Sequence, residues 1–550
     1  MLFNSAVFLF FFLPISLLAY YALARWRSVP YAKAWLCGAS FFFYGWWNPA
    51  FVLLLVGSIA FNYFISHQLK GDDDPSPRQR AILTFGIAAN LLLLFYYKYL
   101  FPVLGFFDSM GWGHFDYGSV ILPIGISFFT FTQIGYLVDC HQGLVRDRGL
   151  LNYVLFVTFF PHLIAGPILH HREIMPQFAN DESYKFRIEN LSVGLTLFAF
   201  GMVKKVMLAD TIGPWAEMGF DHAQSLGGIE AWSVALAYSM QLYFDFSGYS
   251  DMAIGLGIMF GIKLPLNFNS PYQSLSIIDF WQRWHMTLTR YITLLLYNPV
   301  SLWVSRRRQR AGLPISRQAA ATPMGFASMI ALPTFITLLL AGVWHGAGLQ
   351  FIIYGVLHAT YLTVNHAWRI FNPTKAAAKT HVSSSWFSAA YSYGWRLILT
   401  YLCVLVAQIF FRAKNVSDGM AIIASAMGLH GSGLPWVIPL GNVQYLGPLQ
   451  SFLLDNHVFV VGLRETYDTV TRPLFENLGL GLVLALIAFT MPNVYQILTT
   501  WSPALNKVKS LEWLRLAWKP NLAWAVGVGT MLFLTTLYFD RTGRFLYFQF

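Results

Sequence analysis

The sequence predicts an all-α fold: a polytopic membrane helical bundle of more than ten membrane segments, some re-entrant, around a central channel. Composition is the first reason. Hydrophobic residues make up 56% of the 550 residues, aromatics 17% and charged residues only 11%, with a mean hydropathy of +0.52, a combination foreign to ordinary soluble enzymes. The second is periodic: apolar runs of about 20 residues recur along the chain, long enough to cross a bilayer as helices that satisfy their own backbone. The third is charge. The net charge of +11 comes largely from Arg and Lys clusters lying between apolar runs, which suits membrane topology and predicts lipid rather than nucleic acid as partner. Residues 1–550 read as one integral membrane domain, with 412–476 as an extramembrane or interfacial insertion. Cys37, Cys140 and Cys403 are far apart, so neither a disulfide framework nor a metal site is expected.

Taken in order, the opening MLFNSAVFLFFFLPISLLAYYALARWR carries its charges, Arg25 and Arg27, after the apolar core. A cleaved signal would carry them before it, so this is read as a retained first helix. With Lys33 in the same loop, the positive-inside rule puts that loop in the cytoplasm and the N-terminus outside. Runs through Trp46–Trp47 and on to His67 lead to the basic loop HQLKGDDDPSPRQR, again cytoplasmic. The run 81–101 leads to a loop with Asp108 and Asp116 and no basic residue, as expected outside. The run 120–138 then returns to Arg146 and Arg148. Further apolar runs follow to residue 539, several broken by Gly or Pro.

The most polar material at membrane depth lies between residues 238 and 300, where Asp245, Asp251 and Lys263 flank apolar runs. Irregular backbone there implies burial in protein or a wet cavity. Within it, DFWQRWHMTLTRY reads as an amphipathic helix with Trp281, His285 and Leu288 on one face and Arg283 and Arg290 on the other. It is followed by SRRRQRAGLPISR, a topology signal or a dock for a phosphate-rich donor.

The centre of the chain is LLLAGVWHGAGLQFIIYGVLHATY, residues 338–361. It sets His345 between Trp344 and Gly346 in a run long enough to span. A charged side chain at that depth costs roughly 2.5–3.5 kcal/mol on insertion scales, so an ionisable one is a functional candidate. Imidazole can remain neutral near pH 7 and act as a base. Glycines 342, 346 and 348 admit bends and close approach.

WHGAGLQFIIYGVLH, FDFSGYSDMAIGLGIMFGIKLPLNFNSPY and FWQRWHMTLTRY together resemble the membrane-bound O-acyltransferases, specifically the bacterial branch that includes the alginate O-acetylation membrane protein. NSAVFLFFFLP, LPIGISFFTFTQIGYLVDCHQG, FFPHLIAGPILHHREIMPQF, FFRAKNVSDGMAI and the terminal RFLYFQF are similar to it too. The resemblance puts the family's two characteristic histidines on His345 and His285. It departs just after His285, where Thr293, Leu294 and Leu295 stand in place of an Arg-Asp-Tyr stretch.

That resemblance implies acyl transfer in the cytoplasmic (inner) membrane of a bacterium. A thioester donor, acetyl-CoA or an acylated carrier protein, would pass its acyl group toward hydroxyls of an extracytoplasmic polysaccharide, through a partner acetyltransferase. No bound cofactor is implied. His345 is the expected general base. The oxyanion donor is His285 or backbone N–H groups. Trp344, Asp251, Trp281 and Arg283 are the expected substrate contacts, although Asp245 and Asp251 also fit a structural role. Two other classes use similar residues: a secondary transporter, which commonly shows a repeated half that is absent here, and a non-catalytic scaffold of an export system.

Overall fold

The computed structural model describes residues 1–69, 71, 76–112, 121–372, 386–429, 472–509, 517–539, 543 and 545–546. Among them every regular element is helical. Among the described residues seven helices are long and apolar enough to cross a membrane: Phe8–Trp26, Ala50–Gln68, Pro77–Lys98 (α1), Ile188–Asp221, Pro323–His345, Ala390–Arg412 and Pro473–Thr490. Other helices in the bundle, such as Val29–Gly45 and Ile126–His141 (α2), are too short for that class. The run near 151–169 is broken into Leu150–Thr158 and Phe160–Leu163, the kind of piece expected of a re-entrant segment. Most of the expected 412–476 insertion lies outside the described residues, as does Asp116.

Proline and capping residues set several helix starts. Ser76 accepts the N–H of Gln79 ahead of Pro77, and Pro333 occupies the first turn of Leu332–His345. Three further short or buried elements matter below: His171–Ala179 (α3), Ile188–Met202 (α4) and the 32-residue Gly228–Met259 (α5).

α5 is buried on all sides through most of its length and forms the axis of the bundle. α4 lies directly against it because glycines meet across the contact. A Cβ on Gly194 would sit 2.6 Å from the Gly255 carbonyl oxygen, and one on Gly201 equally close to that of Gly248. In lipid, where apolar burial no longer favours one neighbour over another, such backbone approach is what holds helices together.

The two aspartates of α5 that lie deepest in the bundle are engaged across this contact. α4 runs on into a π-helical turn, Val203–Ala209, which aims Lys204 and Lys205 at α5. Lys205 Nζ lies 2.8 Å from Asp245 and 2.5 Å from Asp210, and Asp245 also accepts the backbone N–H of Leu546. Lys204 Nζ lies 2.6 Å from Asp251, whose other oxygen accepts the Tyr495 hydroxyl at 2.8 Å. Of the two roles open to these aspartates, the structure displays the inter-helix one. Lys263 lies exposed, donating to the Ser502 carbonyl.

Candidate active site

The stretch read as one amphipathic helix through His285 is two. Ile277–Trp281 (α6), capped by the Ser276 hydroxyl, ends before residue 282, and Met286–Ile292 (α7) starts afresh. His285 sits at the break as the residue before α7, with φ +43°, a left-handed conformation costly for any residue with a Cβ. The segment 267–269 offsets that cost: Met286 N–H donates to the Asn267 carbonyl, Asn269 N–H to that of Arg283, and the Asn267 side chain accepts from Nδ1 of His285. The break preserves what a continuous helix would have achieved, because Trp281, His285 and Leu288 still line one cavity.

The 338–361 run is likewise a hairpin. Leu332–His345 (α8) ends on His345, and Leu349–Phe371 (α9) returns alongside it. Gly342 permits this contact, since a Cβ there would meet the Phe351 carbonyl oxygen at 2.4 Å. The glycine therefore serves helix packing rather than substrate approach. At the end of α8, where carbonyls lose their helical partners, Lys98 Nζ donates to the Trp344 oxygen and the Tyr99 hydroxyl to that of Val343 at 2.9 Å. α1 thus clamps the backbone that carries His345. The Trp344 ring stacks on Phe131 with centroids 5.2 Å apart.

Three histidines border one small cavity of about 20 Å³: His285, His345 and His358. All three are buried. Phe246 lies edge-on to His285, Phe411 to His345, and Tyr354 to both His345 and His358. Trp281 Nε1–H donates to His358 Nδ1 at 3.3 Å. A neutral His358 then carries its proton on Nε2 and is a donor there, whereas His285, donating through Nδ1 to Asn267, keeps a lone pair on Nε2.

His345 also borders a second cavity of about 40 Å³, formed with Trp344, Lys98 and residues 122–128. It is the residue the two cavities share. A third, larger cavity of about 540 Å³ lies on the other side of α7, with Thr287, Arg290 and Tyr291 in its wall.

Of the expected site residues, His345, His285, Trp281 and Trp344 are thus brought together. Arg283 is not on these walls: it pairs with Asp279 at 2.8 Å and is one-third exposed. Asp251 is committed to Lys204 and Tyr495. Sequence reasoning passed over His358, although its spacing from Tyr354 puts both on one face of α9. It also passed over Asn267 and Lys98, whose roles depend on contacts remote in sequence.

Residues 128–312 match the model of the membrane-bound O-acyltransferase family. Relatives similar to the chain include a peptidoglycan O-acetyltransferase of Helicobacter pylori, 39% identical over 79% of this chain and 81% of the relative. Another is a probable alginate O-acetylase AlgI of Azotobacter vinelandii, 37% identical over 85% of this chain and 86% of the relative. Enzymes of this kind move acyl groups, which separates the chain from the transporter and scaffold classes. With the family model across its histidine-bearing core and such likeness over most of its length, the chain belongs to the membrane-bound O-acyltransferase family.

Proposed function

We propose that the protein transfers an acetyl or similar acyl group from a thioester to a hydroxyl at His345, in service of a glycan outside the cytoplasm. The observation that carries this reading is that His345 belongs to two cavities with otherwise different walls. A base so placed can meet a donor from one cavity and an acceptor from the other. Relatives named for peptidoglycan and alginate favour a glycan as final acceptor. The donor is CoA or a carrier-protein thioester, and a partner acetyltransferase outside the membrane receives the group on the way.

His345 takes the proton of the attacking hydroxyl as its oxygen bonds to the thioester carbon. The resulting oxyanion needs a donor, and His358 Nε2–H supplies one from the same cavity. Collapse breaks the carbon–sulfur bond. The thiolate leaves with the proton returned by His345, and an ester and a thiol are the products. His285, with its lone pair on Nε2, orients the hydroxyl or the His345 ring rather than the oxyanion. Room for about one water separates the histidines, so the reacting groups enter as the surrounding aromatic rings move aside.

In this reading the basic loops at Arg25–Lys33 and Arg146–Arg148 face the cytoplasm of a bacterial cell and the N-terminus lies outside the inner membrane. The test is thioester consumption by purified protein in proteoliposomes with a hydroxyl acceptor. His345→Ala should lower it about 10²–10⁴-fold at equal protein level; activity near wild type would remove His345 from the chemistry.

A further inference from the structure

The wall of the 540 Å³ cavity beyond α7 holds a group the acyl-transfer reading does not use. Asp139 stands in the last turn of α2, while His170 is the residue before α3 and His171 its first. Side chains of consecutive residues usually diverge. Here the bend from extended backbone at His170 into helix brings both rings, with centroids 4.9 Å apart, onto one carboxylate oxygen. His170 Nε2 lies 3.2 Å and His171 Nδ1 2.8 Å from Asp139 Oδ2, and all three atoms fall within 4.8 Å of one another.

Hydrogen bonding between neutral rings does not account for His171. Its Nδ1 faces the carboxylate, and its Nε2 lies 3.4 Å from the Leu144 carbonyl oxygen. Both neighbours are acceptors, whereas a neutral imidazole has one N–H. A metal ion on Nδ1 resolves the conflict: the proton moves to Nε2 and donates to Leu144. Metal-ligating histidines characteristically donate their second nitrogen to a carbonyl or carboxylate in this way. His170 in turn gives up only the long 3.4 Å contact between its Nδ1 and the Arg172 N–H. Glu173 does not compete, being paired with Arg290 at 2.5 Å.

We propose that Asp139, His170 and His171 bind a divalent transition-metal ion of the zinc class. Two imidazoles and a carboxylate are its customary ligands, and with three protein atoms a fourth position remains for water or an oxygen ligand in the cavity. The ion ties the end of α2 to the start of α3. The expectation of no metal rested on cysteine spacing, which says nothing about a His-His pair and a remote aspartate.

The test uses full-length protein purified without a polyhistidine tag, stripped with chelator and re-exposed to zinc. Elemental analysis after desalting should find about one zinc per chain in wild type and little in H170A or H171A, and zinc should raise the melting temperature of wild type but not of H170A. His170 is the more exposed ring, so H170A keeps the comparison meaningful if H171A folds poorly. Cobalt(II) should give a visible absorption band in wild type that zinc displaces. Wild-type protein that retains no zinc, or H170A that retains as much, overturns the proposal and leaves a His–Asp cluster without a metal.

Discussion

Asn267 Oδ1 accepts from His285 Nδ1 and from the Thr287 hydroxyl, each at 2.9 Å, while its Nδ2 donates to Ser250 at 3.2 Å. The amide therefore sets which nitrogen of His285 bears the proton and holds the left-handed turn in place. Asn267→Ala should lower acyl transfer roughly tenfold to a hundredfold, the kinetic equivalent of the about 1–3 kcal/mol lost when a buried polar group loses its partner. Steady-state rates at matched protein level check this. A rate within twofold of wild type would mean that the His285 tautomer is immaterial.

His358 and Trp281 should separate chemistry from orientation. His358→Phe removes the proposed oxyanion donor and should reduce kcat about 10²–10³-fold, the usual consequence of losing one such donor. Trp281→Phe keeps an aromatic ring, though a smaller one, but removes the N–H that fixes His358, and should cost much less. Equal losses in the two variants would point to cavity shape instead.

Lys98 should matter although it need not touch the substrate. Lys98→Met removes the clamp on the Trp344 carbonyl while keeping a long apolar stem. We expect kcat to fall severalfold with the KM for the donor little changed, because the proposed base moves and the donor's contacts remain. A rise in KM alone would place Lys98 in donor binding.

The arginines after α7 divide by environment. Arg308 is buried, donating to the Pro314 carbonyl and to Ser328, so its replacement should lower thermal stability. Arg306, Arg307 and Arg310 line a hollow with Trp303, over whose ring Arg307 lies at 5.6 Å. Changing these three to Lys preserves topology-determining charge but loses the planar fork that grips phosphate. The donor KM should rise severalfold; an unaltered KM assigns them to topology.

Gly201→Val tests the α4–α5 contact. The added atoms meet the Gly248 backbone, which cannot yield as a side chain can. Detergent-purified protein should aggregate or melt well below wild type, whereas Gly38→Ala, where a Cβ meets nothing, should be neutral apart from its gain in helix propensity.

Helical class and membrane character were legible because hydropathy and charge placement need no tertiary information. The burial of His345 could also be expected from its place in an apolar run, which His358 shares. The break at His285 was hidden: local pattern favours one continuous helix, and the turn exists only because residues 267–269 hold it from outside. Asp251 stayed open between two roles for a related reason. A carboxylate at membrane depth signals function by default, and the partner that explains it, Lys204, lies on another helix. Likewise nothing local to Lys98 announces that it caps the helix bearing His345.

The ion pairs between Lys204, Lys205 and α5 also bear on biogenesis. Each charged side chain taken singly into the bilayer costs roughly 2.5–3.5 kcal/mol on insertion scales, so neither helix partitions cheaply alone. The two should leave the insertion machinery as a pair, with lysines already facing aspartates. Even then Asp245 lacks one partner, the N–H of Leu546, which lies 301 residues further along. A chain cut short before that point would carry an under-satisfied carboxylate in its central helix, however completely its spans had been inserted.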